Sequence, residues 1–326
     1  MAVLVTGGAG YIGSVTVEML LARGEHVVVL DNFSRGHREA VSPGAILVQG
    51  NAGDRTLVSR VVAAEKIGEV VHFAAFACVG ESVEKPALYF DNNVTQAAAL
   101  FETLAASGVR RVVFSSSCAV YGEPEAVPIP EDHPRRPASP YGWTKYLCEE
   151  ILRGLDAAGV LRFMALRYFN ASGAAGRLGE HHAPETHLIP NVLAAAAGRF
   201  PALCVFGSDY PTPDGTAVRD YIHVSDLARA HVLALDALRA GKASDFLNLG
   251  TGQGHSVLEI VAAAKRVAVR EISLRMEGRR PGDPARLVAK AGRARDVLGW
   301  APEHTDIEAV VRSAWEWHEG HPEGYK

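Results

Sequence analysis

The chain has 326 residues, 48% hydrophobic and 21% charged, enough for one large or two modest globular domains. A formal net charge of -4 supplies no basic field for nucleic acid or an anionic membrane. No apolar run reaches the ~20 residues that span a bilayer, and MAVLVTGGAG lacks a signal's charged flank and cleavage site, so it reads as a first strand.

Residues 3–6 form a short, β-branched apolar run and predict a strand. Residues 11–23 have helical spacing and stop at Gly24, a suitable C-cap. Apolar runs at 26–30 and 45–48 predict the next strands, and 54–65 a helix. The same alternation continues with a strand at 70–73, a helix at 93–106, a strand at 111–114, a helix at 141–158 and a strand at 163–166. Strands apolar on both faces, separated by amphipathic helices, indicate an α/β fold whose parallel sheet is covered on both sides. After Asn170 the chain turns polar and less regular, which predicts a smaller second region over one edge of the sheet. Residues 221–240 read as helical and apolar, able to return to the first domain.

TGGAGYIG (residues 6–13) holds Gly7, Gly10 and Gly13 at intervals of three, and Gly8-x-Gly10-x-x-Gly13 as well. It follows a strand and opens a helix, the context in which such glycines let backbone N–H groups approach a pyrophosphate. Asp31 closes the second strand, where an acid accepts hydrogen bonds from ribose hydroxyls and repels a 2′-phosphate. Arg35 lies near enough to bind such a phosphate, but Asp31 holds the diagnostic position, so NAD is expected over NADP.

In SPYGWTKYLCEE (residues 139–150), Tyr141 and Lys145 are four apart and share one helical face. Alone this is a chance pairing of an aromatic and a snorkelling lysine. Beside a dinucleotide turn it becomes an acid/base tyrosine and its cation. A free tyrosine has a pKa of ~10, so about one in a thousand is ionised at pH 7. A base should titrate near the working pH, so Tyr141 is expected to be depressed by Lys145 and by the positive nicotinamide.

Cys78, Cys118, Cys148 and Cys204 form no C-x-x-C pair and read as reduced core thiols of a cytoplasmic protein. EHHAPETH (residues 180–187) is rich in ligand types, but Pro184 interrupts any helix and H-E-x-x-H is absent, so no metal is expected.

TGGAGYIG, SSSCAVYGEP and YGWTK together resemble the extended short-chain dehydrogenase/reductase family. DNF, FAAFACVGES, YFDNNV, LRYFNASGA, VRDYIHVSDLA, NLGTGQGHSV, RRPGDPA and HPEGY carry the likeness along nearly the whole chain. The resemblance implies a Rossmann-type doubly wound parallel sheet with a smaller mixed α/β substrate region. Residues 1–170, rejoined by about 220–245, would bind NAD; 171–219 and 246–326 would bind a UDP-sugar. It implies 4-epimerisation of a UDP-hexose through a transient 4-keto sugar, in a homodimer with NAD retained. Tyr141 would be the acid/base, Lys145 its partner, and Ser117 would hold the reacting hydroxyl.

By the same likeness, Gly7, Gly10, Tyr11, Ile12 and Gly13 would cradle NAD, with Asp31, Asn32, Asn51 and Ala52 toward its adenosine. Phe73, Ala74, Ala75, Asn93, Ser115 and Phe169 would line its remainder, together with Tyr141 and Lys145. Asn170 would face the sugar nucleotide, and Leu188, Leu203, Val205, Phe206, Arg219, Arg280 and Asp283 would hold the UDP portion.

The chain departs from its relatives where Asn51 replaces an acid, Ala77 a lysine near the pyrophosphate, and Ala119 a threonine. Leu287 falls at the family's size gate, with intermediate bulk. Epimerases for UDP-N-acetylhexosamines, UDP-pentoses or UDP-uronates are therefore alternatives. A dehydratase would need Asp-Glu where Cys118-Ala119 stand, and a non-catalytic NAD-binding scaffold would typically lack the tyrosine or lysine kept here.

Overall fold

The computed structural model describes residues 1–280 and 282–326. In chain order its first half contains β1 (Ala2–Thr6), α1 (Tyr11–Ala22), β2 (Val27–Asp31), β3 (Ile46–Gln49), α2 (Arg55–Glu65) and β4 (Ile67–His72). These are followed by α3 (Val79–Glu84), α4 (Pro86–Phe90), α5 (Gln96–Ala106), β5 (Arg111–Ser117), α6 (Pro140–Ala157) and β6 (Arg162–Tyr168). The second half adds β7 (Asn170–Ser172), α7 (Leu188–Ala196), β8 (Leu203–Phe206), β9 (Val218–His223), α8 (Val224–Arg239) and β10 (Asp245–Leu249).

Local chemistry sets these boundaries. The Asp54 side chain accepts from the Leu57 N–H at the start of α2, and Ser139 does the same for Gly142 at the start of α6. Pro140 occupies the first position of α6, where its missing N–H costs nothing. Beyond α1, Gly24 takes a φ of +78°, which ends the helix as its sequence position suggests.

Seven strands form a parallel sheet in the order β10-β6-β5-β4-β1-β2-β3. β1 and β2 are buried on both faces, as their unbroken apolar runs predict. Val17 and Leu20 of α1 pack with Leu235 and Leu238 of α8 on one face. Leu100, Phe101 and Leu104 of α5 pack with Leu152 of α6 on the other. The strand order reverses between β1 and β4, and a crevice opens there beyond the strands' carboxyl ends.

The helix expected over 221–240 begins only at Val224; Tyr221–His223 belong to β9, all six of whose residues are buried, so no polar face marked the strand. α8 then packs on α1 and the sheet. β10 also joins the large sheet, from chain assigned above to the substrate region, because its buried Leu247 and Leu249 fit beside β6. The helix expected from 93 starts regularly at Gln96, after a π-helical turn over Asp91–Thr95. A smaller sheet around β9, with β7, Gly254–Ser256 and Arg286–Leu287, and a β8 pairing with Leu274–Glu277, build the second region. Its own core joins Ile189, Val192 and Leu193 of α7 to Ile260, Val261 and Trp315. Among the described residues no helix is long and apolar enough to cross a membrane.

Candidate active site

A single cleft of about 1630 Å3 runs from the glycine turn at the sheet's crevice to the smaller region. At one end Gly7 has a φ of +71°, and a Cβ there would lie 2.6 Å from the Ala74 backbone nitrogen. A Cβ at Gly13 would lie 2.2 Å from the Gly7 carbonyl oxygen. Only glycine permits this turn, which brings the N-terminus of α1 to the cleft with its first N–H groups free.

Asp31 fixes the turn from below. One carboxylate oxygen accepts from the Ala9 N–H at 3.0 Å and the other from Phe33 at 2.8 Å. Burial pushes its carboxyl above the ordinary value, against the pull of those N–H groups. Asn32 donates to the side chain of Asn51 at 2.7 Å, and both line the cleft, so the asparagine standing in place of an acid keeps a polar contact there.

Arg35 does not wait for a phosphate. It pairs with Glu81 at 2.7 Å, donates to the Ala183 carbonyl at 3.1 Å and stacks 5.2 Å from the centre of the Phe76 ring.

Tyr141 and Ser117 meet in the middle of the cleft, on α6 and at the end of β5. Lys145 is 4% exposed; its Nζ donates to the Ser115 carbonyl at 2.8 Å and lies 5.9 Å from the Tyr141 ring centre. Burial pushes this lysine down to about 8. Burial, with Tyr168 beside it, raises the Tyr141 phenol well above its ordinary value, with the Ser117 hydroxyl pulling the other way. In the protein alone burial therefore outweighs any pull from the Lys145 ammonium, which also donates to the Ser115 carbonyl.

At the far end Arg219 forms an ion pair with Asp283, and the Arg280 guanidinium lies 4.0 Å from the centre of the Phe206 ring. An aromatic face under a guanidinium, with a second arginine beside it, suits a base attached to a diphosphate.

The model of the NAD dependent epimerase/dehydratase family matches residues 3–250. The chain belongs to that family. A UDP-glucose 4-epimerase of Lacticaseibacillus casei is 51% identical over all of this chain and 99% of its own. A crystal structure of a UDP-glucose 4-epimerase superposes with a TM-score of 0.97 at 45% identity, covering 100% of both chains. The UDP-glucose 4-epimerase of Brucella ovis in complex with NAD gives 0.94 at 46% identity over 97% of each chain.

Family membership makes NAD the cofactor, and the turn, the free N–H groups and Asp31 fit it. Nearly all the anticipated site residues reach the cleft: the turn glycines with Tyr11 and Ile12, then Ala52, Phe73, Ala74, Ala75, Phe169 and Asn170. Leu188, Leu203 and Val205 line it toward the smaller region. Lys145, Ser115 and Asn93 are exceptions and stand behind its wall. Asn93 spends its amide on the Phe76 N–H at 2.8 Å, the Phe76 carbonyl at 2.9 Å and the Thr144 hydroxyl at 3.1 Å. It shapes the loop after β4. The Ser115 hydroxyl is engaged by Tyr168 at 2.5 Å.

Tyr168 and His72 were not anticipated, yet both line the cleft. Tyr168 pairs in register with Ser117 across β5 and β6, a relation visible only once the strands are aligned. The His72 Nδ1 lies 2.6 Å from the Thr6 hydroxyl, and burial, with Lys145 nearby, pushes this imidazole down to about 3 and keeps it neutral.

Gly7→Ala is expected to purify without NAD, because the strained φ and the clash with Ala74 displace the turn. Extracting the nucleotide from wild type and variant measures this; equal NAD content in both would refute the turn as the dinucleotide site.

Proposed function

We propose that the protein interconverts the C4 epimers UDP-glucose and UDP-galactose, with NAD as a retained cofactor. The observation that carries this reading is one cleft presenting, in order, a dinucleotide turn, Tyr141 with Ser117, and Arg219 with Arg280. Bound NAD supplies a hydride acceptor and donor for the sugar C4. Tyr141 removes the proton of the 4-hydroxyl at its phenol oxygen while Ser117 holds that hydroxyl in place. The 4-keto sugar then presents its other face, and Tyr141 returns the proton. Arg219 and Arg280 retain the diphosphate end while the sugar turns. The names of the relatives described above support UDP-glucose as the substrate.

Incubation with UDP-galactose, UDP-N-acetylgalactosamine and UDP-arabinose, followed by separation of epimers, tests this. Equilibration of UDP-galactose with UDP-glucose, without net NADH, is the expected result; protein that carries NAD and leaves all three unchanged refutes it. Leu287 lies on the cleft wall, so acceptance of an N-acetyl group is the second reading, decided by the same panel.

We assign residues 1–170 and 220–245, extended by β10, to NAD, and the remainder to the UDP-sugar. We also infer a homodimer. Val79 and Val83 of α3, Leu88 and Phe90 of α4 and Trp143 of α6 are exposed apolar side chains on helices that pack together. Leu88→Glu should turn a dimer into a monomer in sedimentation; a wild type that already sediments as a monomer removes the inference. Cys118 and Cys148 are free and buried, which supports a reducing cytoplasm, and cell fractionation checks that assignment.

A further inference from the structure

Between β7 and α7 the chain runs from Gly173 to His187 without a named strand or helix. Segments this long without regular structure need other ties. Four of its side chains converge. Glu180, His182, Glu185 and His187 each offer one ligand atom, all within 4.8 Å of one another. The spacing argument against a metal rested on Pro184 breaking a helix, but here it is irregular backbone that folds Glu-x-His-x-x-Glu-x-His into one cluster.

Three of the four imidazole–carboxylate distances are close to those around a small ion. The His187 Nδ1 lies 2.8 Å from a Glu180 oxygen and 3.3 Å from one of Glu185. The His182 Nδ1 lies 3.5 Å from an oxygen of each. A tetrahedron with metal–ligand bonds of ~2.1 Å has edges of about 3.4 Å. Ion pairing alone leaves a defect: both Nδ1 atoms are shielded from solvent, and neither has an aligned hydrogen-bond partner among the described residues. Buried polar atoms are rarely left so. Glu180 is itself only 6% exposed. One Glu185 oxygen also accepts the backbone N–H groups of Thr186 at 2.7 Å and His187 at 2.8 Å, the outer support that holds a ligating carboxylate in place.

We propose that Glu180, His182, Glu185 and His187 form a structural site for one divalent transition metal of the zinc class. Two carboxylates and two neutral imidazoles give a neutral complex with a divalent ion, and mixed imidazole and carboxylate ligands suit zinc. All four positions are filled by protein, so the ion braces the segment and activates no water. All four residues line the cleft themselves, and His187 directly precedes Leu188, the first residue of α7, so the ion would brace that wall without taking part in the Tyr141 chemistry.

The test uses the full chain, stripped with dipicolinate and desalted. Zn2+ titration by calorimetry should show one tight equivalent per chain and raise the thermal midpoint. Co2+ should give the visible bands of a tetrahedral site. His182→Asn and Glu185→Gln should each weaken that equivalent by at least about tenfold, as loss of even an outer-shell partner does. The Co2+ spectrum of wild type decides the matter independently if a variant does not fold. A wild type with no saturable equivalent, an octahedral Co2+ spectrum, or folded variants that bind as tightly as wild type would overturn the proposal and leave two His–Glu ion pairs.

Discussion

Replacing Tyr141 with phenylalanine is expected to lower kcat about 1000-fold, within the range for loss of a positioned acid/base. The ring keeps its place on α6, so NAD content and UDP affinity should stay near wild type. Turnover of UDP-galactose together with UDP binding by calorimetry measures both; a loss smaller than about tenfold would remove Tyr141 from the proton-transfer step. Lys145→Met separates charge from shape. Burial raises the Tyr141 phenol in the protein alone, so ionisation depends on positive charge nearby. Without the ammonium the phenol titrates still higher, less phenolate exists at a given pH, and the lost rate should recover in part as pH rises. An unchanged pH profile would show that Lys145 only packs.

Glu149→Ala is expected to cost about 3–5 kcal/mol, the range for breaking a buried ion pair. Both side chains of the Glu149–Arg167 pair are at most 2% exposed. Glu149 receives Arg167 at 2.7 and 2.6 Å, the Ser116 hydroxyl at 2.7 Å and Arg135 at 3.0 Å. Its removal leaves the Arg167 guanidinium buried without a carboxylate, against the Tyr121 hydroxyl, the Glu131 carbonyl and the Phe246 ring. Because Glu149 stands one turn beyond Lys145, the pair also sets α6 against β5 and β6. The urea midpoint should fall sharply, and Glu149→Leu combined with Arg167→Met should restore part of it. A single variant as stable as wild type would show that the network contributes little.

The parts of this molecule legible in its sequence are those whose physics is local. The glycine turn requires a positive φ at Gly7 and no side chain at Gly13, and both needs are met within a few residues. Asp31 ends a strand, and Tyr141 and Lys145 are joined by one turn of helix. What spacing could not reveal depends on contacts between distant segments. Lys145 was read as the cation that keeps the phenol acidic; that its ammonium also donates to a carbonyl on β5 was not legible. Asn93 was read as a contact for NAD; that its amide closes on the loop after β4 was not legible. The last three residues of β9 were read as helix because a strand buried on every side shows no alternation. Glu180 to His187 were read as unable to gather because only helical spacing was considered.

Arg35 ties together three parts of the cleft's rim: its own loop after β2, Glu81 on α3 and the Ala183 carbonyl of the segment before α7. In the function proposed above, a dinucleotide seated beneath these ties would leave only when they part. Long residence would follow, and with it independence from the surrounding pool of reduced and oxidised nucleotide. In the function proposed above, each hydride taken from a sugar would be held for the same sugar, so the reaction would consume no reducing power and its direction would be set by the two epimers alone.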